Sequence, residues 1–374
     1  MIQTAAIVGR GTAGCIAYLN LLSMPFPIDI HWYYDDKINT SSVGEGTTPM
    51  FTCLLSELGD KDLASSDNLH LIDARPKIGI EYINWGKSNF VHPFAVGNHG
   101  IHFNASKFQQ HIFNNYTNLP NVELLNTNVK SEELKYQGYE VVVDATGYPK
   151  ELNEDYRIPK YISVNAVHVT QCDWPEEPKW LHTKTIARPW GWVFVIPLTS
   201  RCSVGYLYNR DISTLDQVKQ DVENVIDELG VTPNGVTNSF EFNNYVKEKL
   251  IDDNVFYVGN SGFFLEPMEA TTLDSISRVL QYLGETNENA NEELHKFFKE
   301  VEYFIMMHYA AGSKWNNEFW DFATERGRLA MEEASKDSLY SSLFNCEVSQ
   351  SYQQYFTPYS YRSNLKGLGL DVAA

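Results

Sequence analysis

The chain is poor in the features that mark secreted, membrane-spanning and nucleic-acid-binding proteins. Among 374 residues there are only five cysteines: Cys15, Cys53, Cys172, Cys202 and Cys346. They are odd in number, widely spaced and free of any C-x-x-C pair. That argues for reduced thiols in a cytoplasmic compartment and against a disulfide framework or zinc site. His99 and His102 have no further ligand cluster beside them, so they read as loop polar residues and no metal is expected. Positive charge is scarce: 29 Lys and Arg against 48 Asp and Glu give a net charge of −19. Such a surface repels phosphate backbones, so no nucleic-acid partner is expected, while a nucleotide cofactor held by backbone N–H groups stays compatible. No apolar run approaches the ~18 residues of a membrane span. The opening MIQTAAIVGRG lacks a basic leader and runs straight into a strand pattern, so no signal peptide is expected. Repeats, low-complexity tracts and long linkers are also missing.

What is there is an ordinary globular composition, 43% apolar and 21% charged, long enough for about two or three cores of ~150 residues each. Residues 3 to 8 form a short apolar run, Gly9, Gly11 and Gly14 follow, and a helical pattern reaches about Leu22 before a second strand at 28 to 34. This is βαβ wiring. Helices are predicted from Pro49 to Leu58, with Gly59 as the C-terminal cap, and over 105 to 118. A buried strand is predicted at 140 to 146 and several more between 160 and 208. Ser213 with Asp216 resembles a capping box that opens a helix ended by Gly230. One more strand, 255 to 258, precedes a mainly helical remainder. In ARPKIGIEYINWG (74 to 86), Ile78, Ile80 and Tyr82 alternate with Lys77, Gly79 and Glu81. Period two reads as a half-buried strand with Lys77 on its polar face, where solvent is the ordinary place for a lysine.

IVGRGTAG (7 to 14) is G-x-G-x-x-G between a strand and a helix. The glycines permit a tight turn and close backbone approach, and the helix start offers N–H groups to a pyrophosphate. Gly9, Gly11, Thr12, Ala13 and Gly14 are therefore candidate dinucleotide ligands. The ribose-binding acid expected about twenty residues on falls by spacing on Tyr34. Asp35 is the better candidate, although Asp35 and Asp36 also suit an exposed turn. VVVDATG (141 to 147) closes a strand on Asp144 and Gly147. VFYVGNSGFF (255 to 264) adds a second glycine-rich turn with Gly259, Asn260 and Gly262. The three segments together favour FAD.

These segments and others resemble the flavin-dependent halogenases of the tryptophan halogenase family. VGRGTAG is close to the family's G-G-G-T-A-G, and VGEGTTP (43 to 49) to its V-G-E-A-T-x-P strap, with Gly44 and Glu45. PKIGIEYINW (76 to 85) resembles the segment in which a lysine precedes a short strand. GWVFVIP (191 to 197) resembles G-W-x-W-x-I-P, GFFLEPMEATT (262 to 272) resembles G-F-x-x-P-L-E-S-T-G, and MHYAAGSKWNNEFW (307 to 320) the H-Y…F-W segment. The matches run in family order from residue 1 to about 325.

The resemblance implies FADH2, O2 and a halide (chloride, bromide or iodide) as co-reactants. The hypohalous acid formed reaches Lys77 through an internal channel and halogenates an aromatic or heteroaromatic small molecule. It makes Lys77 and Glu269 the catalytic pair. Thr271 and Thr272, with Thr48 (and Thr47) of the strap, become the halide site. Trp192, Phe194 and Pro197 become the wall between flavin and substrate, and Phe264, His308, Tyr309, Phe319 and Trp320 line the substrate side. Without the family, Glu269 also reads as an acid at a helix start, Trp192 and Phe194 as strand core, and Trp85 as structural or functional alike. The chain departs from the pattern at Arg10, whose side chain is expected to face solvent, and at Phe194, Asn260, Ala270 and Thr272. It is shorter than typical tryptophan-acting members, which points to a more open site for other aromatics. No second nucleotide motif is evident, so a separate flavin reductase is the expected partner; a homo-oligomer stays open.

The implied fold is mixed α/β: a Rossmann-like FAD domain of the flavin monooxygenase type (1–155 plus 250–285, with 60–100 contributing to the substrate side), a β-rich substrate domain (156–249) and a helical C-terminal region (286–374). An FAD-dependent hydroxylase, or a flavin-binding protein without turnover, would share this scaffold. Lys77, Glu269 and the Trp192-to-Pro197 segment favour the halogenase.

Overall fold

Three short runs rich in β-branched residues build the centre of one unit, which comprises Met1–Ala74, Phe103–Ile158 and Tyr245–His295. The computed structural model describes residues 2–38, 44–57, 63, 66–174, 180–285, 288–337 and 356–370. Val43, Leu58, Gly59 and Cys346 lie outside them. The six-stranded sheet of this unit has the spatial order Ile251–Asp252, Val255–Tyr257, Val141–Asp144, Thr4–Val8, Asp29–Tyr34 and Val122–Asn126. Every pair is parallel except the first. Ala5, Ala6, Ile7, Val142 and Val143 are fully buried, as parallel strands covered on both faces must be, so they read as apolar runs and not as alternation. Thr4–Val8 has Asp29–Tyr34 on one side and Val141–Asp144 on the other. The chain therefore leaves the first strand at a topological switch point, where α/β sheets open a crevice. Helix Thr12–Leu22 crosses over there and packs against helices Ala105–Tyr116 and Thr272–Leu280.

The second unit comprises Arg75–His102, Pro159–Asn244 and Lys296–Ala374. Its seven-stranded sheet runs Thr232–Glu241, Ala166–Asp173, Arg201–Tyr208, Gly191–Pro197, His182–Arg188, Gly79–Ile83 and Phe90–Pro93. Only His182–Arg188 and Gly79–Ile83 pair in parallel. Val193 and Val195, with Val204 and Tyr206 of the next strand, pack on Val218, Val222 and Val225 of helix Leu215–Leu229. Alternation then turns Trp192 and Phe194 to the opposite face.

The capping box of that helix sits one residue later than the sequence pattern suggests. Thr214 accepts from Gln217 N, and Gln217 Oε1 accepts from Thr214 N. Ser213 is buried instead. A glutamine at N3 reaches back to the cap as a glutamate would. Gly230 closes the helix in the left-handed conformation, φ 66°, as expected. The expected α/β class, with a Rossmann-like sheet and helices toward the C-terminus, holds.

Candidate functional site

The crevice of the first unit opens at the carboxyl ends of its parallel strands. It is open to solvent and lined by Gly9, Gly11, Asp35, Asn128 and Gly147, among others. The glycines have separate reasons. A Cβ on Gly9 would fall on the Ala145 carbonyl oxygen and one on Gly14 on the Gly9 carbonyl, so both are fixed by backbone packing. A Cβ on Gly11 would meet nothing within 4 Å: that side of the turn is open. Gly11 also caps helix Thr12–Leu22 without any side-chain hydrogen bond, which leaves first-turn N–H groups for an anion. Thr12 Oγ1 accepts from Gln109 Nε2 at 3.2 Å. These residues fit the diphosphate of a dinucleotide.

Other sequence candidates hold the crevice's shape. Asp35 lies on the wall, where its carboxylate accepts from Lys37 N at 2.9 Å and Asn128 Nδ2 at 3.2 Å. Asp144 is buried and spends its oxygens on the turn, accepting from Thr146 N at 3.0 Å, Thr146 Oγ1 at 2.7 Å and Ser131 Oγ. Ser261 Oγ donates to the Asp144 carbonyl at 2.6 Å. The second glycine turn is thereby tied to the end of strand Val141–Asp144. Gly259 (φ 57°) adjoins Ala13, a Cβ on Gly262 would strike the Tyr257 carbonyl oxygen, and the Asn260 carbonyl accepts from Tyr245 Oη at 2.5 Å. Phe264 packs edge-on to Tyr148, ring centroids 5.1 Å apart. In the strap, Gly44 takes φ 100°, and burial pushes the Glu45 carboxyl up to about 7.

The segment Met268–Ala270 is a tight turn in which Glu269 (φ 65°) and Ala270 (φ 56°) both adopt left-handed backbone. Glu269 is 7% exposed and Thr271 1%. Thr271 occupies the N-cap position of helix Thr272–Leu280 without a side-chain capping hydrogen bond. Thr48 Oγ1 donates to Asp274 Oδ2 at 2.5 Å in the first turn of that helix, so the strap and the Glu269 turn meet at one helix start.

In the second unit, Lys77 is 0% exposed and the neighbouring Ile78 is 39% exposed, the reverse of the sequence pattern. The cause is a change of partner strand. Arg75–Lys77 pairs with Gly100–Phe103, whereas Gly79–Ile83 pairs with His182–Arg188 and Phe90–Pro93. The period of two breaks between them. Gly100 stands opposite Lys77 and presents no side chain there. Lys77 Nζ lies 5.5 Å from the Phe94 ring centroid. Gly79 is dictated by the approach of the neighbouring strand, since a Cβ would strike the His92 carbonyl. Glu81 salt-bridges Lys184.

His102, taken from sequence as a loop residue, is a buried strand residue opposite Arg75. It makes a 2.8 Å hydrogen bond through Nε2 with Thr183 Oγ1. Burial, then the charges of Lys77, Arg75 and His182, hold its pKa well below the ordinary value. Neither the burial of His102 nor the approach of Phe94 to Lys77 carried a sequence signal, because both depend on partners distant in sequence.

Phe194 lies over Gly205, where any Cβ would overlap its ring. Trp192 packs against Trp85 at 6.3 Å, and Trp85 in turn contacts Tyr309 at 5.5 Å, Trp320 at 5.3 Å and His308 at 6.4 Å. Trp85 donates to the Thr185 carbonyl at 3.2 Å, Trp320 to the Arg188 carbonyl at 2.7 Å, and His308 Nδ1 to the Phe304 carbonyl at 2.9 Å. His308, Tyr309, Phe319 and Trp320 are all at most 2% exposed, and Pro197 is buried opposite Cys202. Among the described residues no group of His, Cys, Asp and Glu is arranged to hold a metal ion, and no helix is long and apolar enough to cross a membrane.

Comparison with known proteins bears on the fold and the family. The 7-chloro-L-tryptophan 6-halogenase KtzR of Kutzneria sp. (strain 744) is 21% identical over 198 residues, 50% of this chain and 38% of that protein. The tryptophan 7-halogenase RebH of Lentzea aerocolonigenes is 22% identical over 212 residues, 50% of this chain and 39% of RebH. The matches thus span about two fifths of these relatives' length. Among solved structures, a flavin-dependent halogenase from Xanthomonas campestris superposes with a TM-score of 0.83 at 17% identity, covering 99% of this chain and 90% of its own. One from Brevundimonas sp. BAL3 gives 0.80 at 18%, covering 99% and 90%. Both share the fold. The sequence profile of the tryptophan halogenase family matches residues 4–158 and 127–373, most of the chain on both units, and the protein belongs to that family.

Proposed function

We propose that the protein is an FADH2- and O2-dependent halogenase that delivers hypohalous acid to Lys77 for electrophilic halogenation of an aromatic or heteroaromatic small molecule. The observation that carries this reading is the complete burial of Lys77. Full burial strips a lysine of its hydration, so the fold holds Lys77 there against a solvation cost. The open face of Gly11 and the uncapped helix start beside it support FAD as the cofactor.

Reduced FAD, when bound, supplies with O2 the oxidising power that converts halide to hypohalous acid. The remaining steps belong to the chain. The N–H groups of Thr271 and Thr272 at the helix start, with Thr48 closing the strap, hold the halide. Trp192 and Phe194 keep the aromatic substrate from the flavin while the small oxidant passes. The Lys77 ammonium donates a hydrogen bond to the oxidant, so that on ring attack the O–halogen bond breaks and the hydroxide leaves as water; or its neutral amine takes the halogen as a haloamine with release of water, and is the leaving group when the ring attacks. The substrate ring attacks the halogen, and Glu269 stabilises the resulting cation and takes the ring proton. A separate reductase supplies the reduced flavin.

Mass spectrometry of an aromatic panel incubated with enzyme, reduced FAD, O2 and chloride, bromide or iodide in turn tests the reading. Halogenated product is expected. Hydroxylated product, or flavin oxidation alone across the whole panel, would overturn it.

A further inference from the structure

The crevice of the first unit carries a cation of its own. Arg10 stands between Gly9 and Gly11 in the turn and lines the crevice wall. Its guanidinium carbon lies 4.9 Å from the Tyr34 ring centroid and 5.0 Å from that of Phe113. Those two rings meet edge to face, 5.3 Å apart at 79°, so they restrain the charge from two directions. No carboxylate among the described residues pairs with Arg10. Asp35, on the same wall, is already engaged with Lys37 N and Asn128.

A guanidinium has five N–H donors and no acceptor, and it matches phosphate oxygens two at a time. Restrained on two aromatic rings, un-neutralised by an acid and one residue from an uncapped helix start, it is suited to an anion inside the crevice. We propose that Arg10 is a specificity-determining ligand for the diphosphate of an adenine dinucleotide, a contact that the glycine of the family pattern cannot make. The inference rests on the dinucleotide reading of this crevice. Its consequence is tighter binding of ligands that carry adenosine diphosphate, FAD among them.

Isothermal titration of the flavin-free protein with ADP, adenosine and FAD at low salt tests it, with wild type beside Arg10→Gly and Arg10→Lys. Wild type is expected to bind ADP more tightly than adenosine. Arg10→Gly is expected to weaken ADP and FAD by about tenfold, to leave adenosine unchanged and to flatten the salt dependence of ADP binding. Arg10→Lys should recover part of the loss. Unchanged melting temperatures would confirm that the variants fold. ADP affinity unaltered in Arg10→Gly would overturn the proposal, as would an equal loss for adenosine, which would put the side chain on the base or ribose. Failure of wild type to bind both ADP and FAD would instead remove the dinucleotide reading beneath it.

Discussion

Glu269 and Ala270 carry left-handed backbone one after the other, at a cost of about 1 to 2 kcal/mol each for residues with a Cβ. The surrounding structure sustains that cost where the candidate acid has to be aimed. Ala270→Gly is therefore expected to raise stability by up to ~1 kcal/mol and to lower turnover, because the turn gains alternatives. Thermal melts and product formation read the two effects separately; turnover at the wild-type level would mean the strain does not aim Glu269. At this scale legibility in the sequence was uneven. Gly9 and Gly14 could be read because the backbone approach they allow belongs to the local motif. The burial of Lys77 could not, because it depends on Arg75–Lys77 leaving for a different partner strand than Gly79–Ile83. Arg10 was unreadable for a similar reason: the rings that restrain it, Tyr34 and Phe113, are distant in sequence.

Among the elements, the hairpin of His182–Arg188 and Gly191–Pro197 bears Trp192 and Phe194, the wall of the proposed channel. Packing on helix Leu215–Leu229 fixes one of its faces. A buried ion pair fixes its corner: Arg188 donates to Asp221 at 2.9 Å and 2.6 Å, and also to Glu228 at 3.0 Å. Burial alone would push the Asp221 carboxyl up, but Arg188 outweighs it and holds the pKa below the usual carboxylate value. Asp221→Ala would leave the guanidinium buried with Glu228 as its remaining acid. A loss of about 3 kcal/mol is expected, seen as a fall of about 6 °C in the thermal midpoint; a midpoint within a degree of wild type would show the tie to be dispensable. The core strands and helices were legible because their apolar periods are long. The Thr232–Glu241 strand was not: it lies at the sheet edge and is exposed throughout, so its pairing left no apolar pattern to read.

The molecule as a whole bears a net charge of −19, yet the proposed co-reactants, FAD and halide, are anions. Capture then depends on local donors, the helix starts after Gly11 and Thr271 and the Arg10 guanidinium, acting against the global field. The buried basic cluster around Lys77 also has a pH signature. His102 has a folded pKa well below 6.5, so above that value it is neutral in both states. As pH falls through 6.5 the unfolded chain takes up a proton that the native state refuses, and stability is lost. His102→Asn removes this contribution, so its melting temperature should fall less than that of wild type between pH 7.5 and 5.5; parallel curves would contradict the assignment. Glu45, pushed up to about 7, acts with the opposite sign but is common to both proteins.

The central claim is that Lys77 separates halide oxidation from ring halogenation. It is tested most directly by measuring flavin oxidation and halogenated product side by side in wild type and Lys77→Ala, with reduced FAD, O2, bromide and an accepted aromatic substrate. The account predicts unchanged flavin oxidation and a loss of product of more than about a hundredfold. Halogenation by Lys77→Ala at the wild-type rate would contradict it.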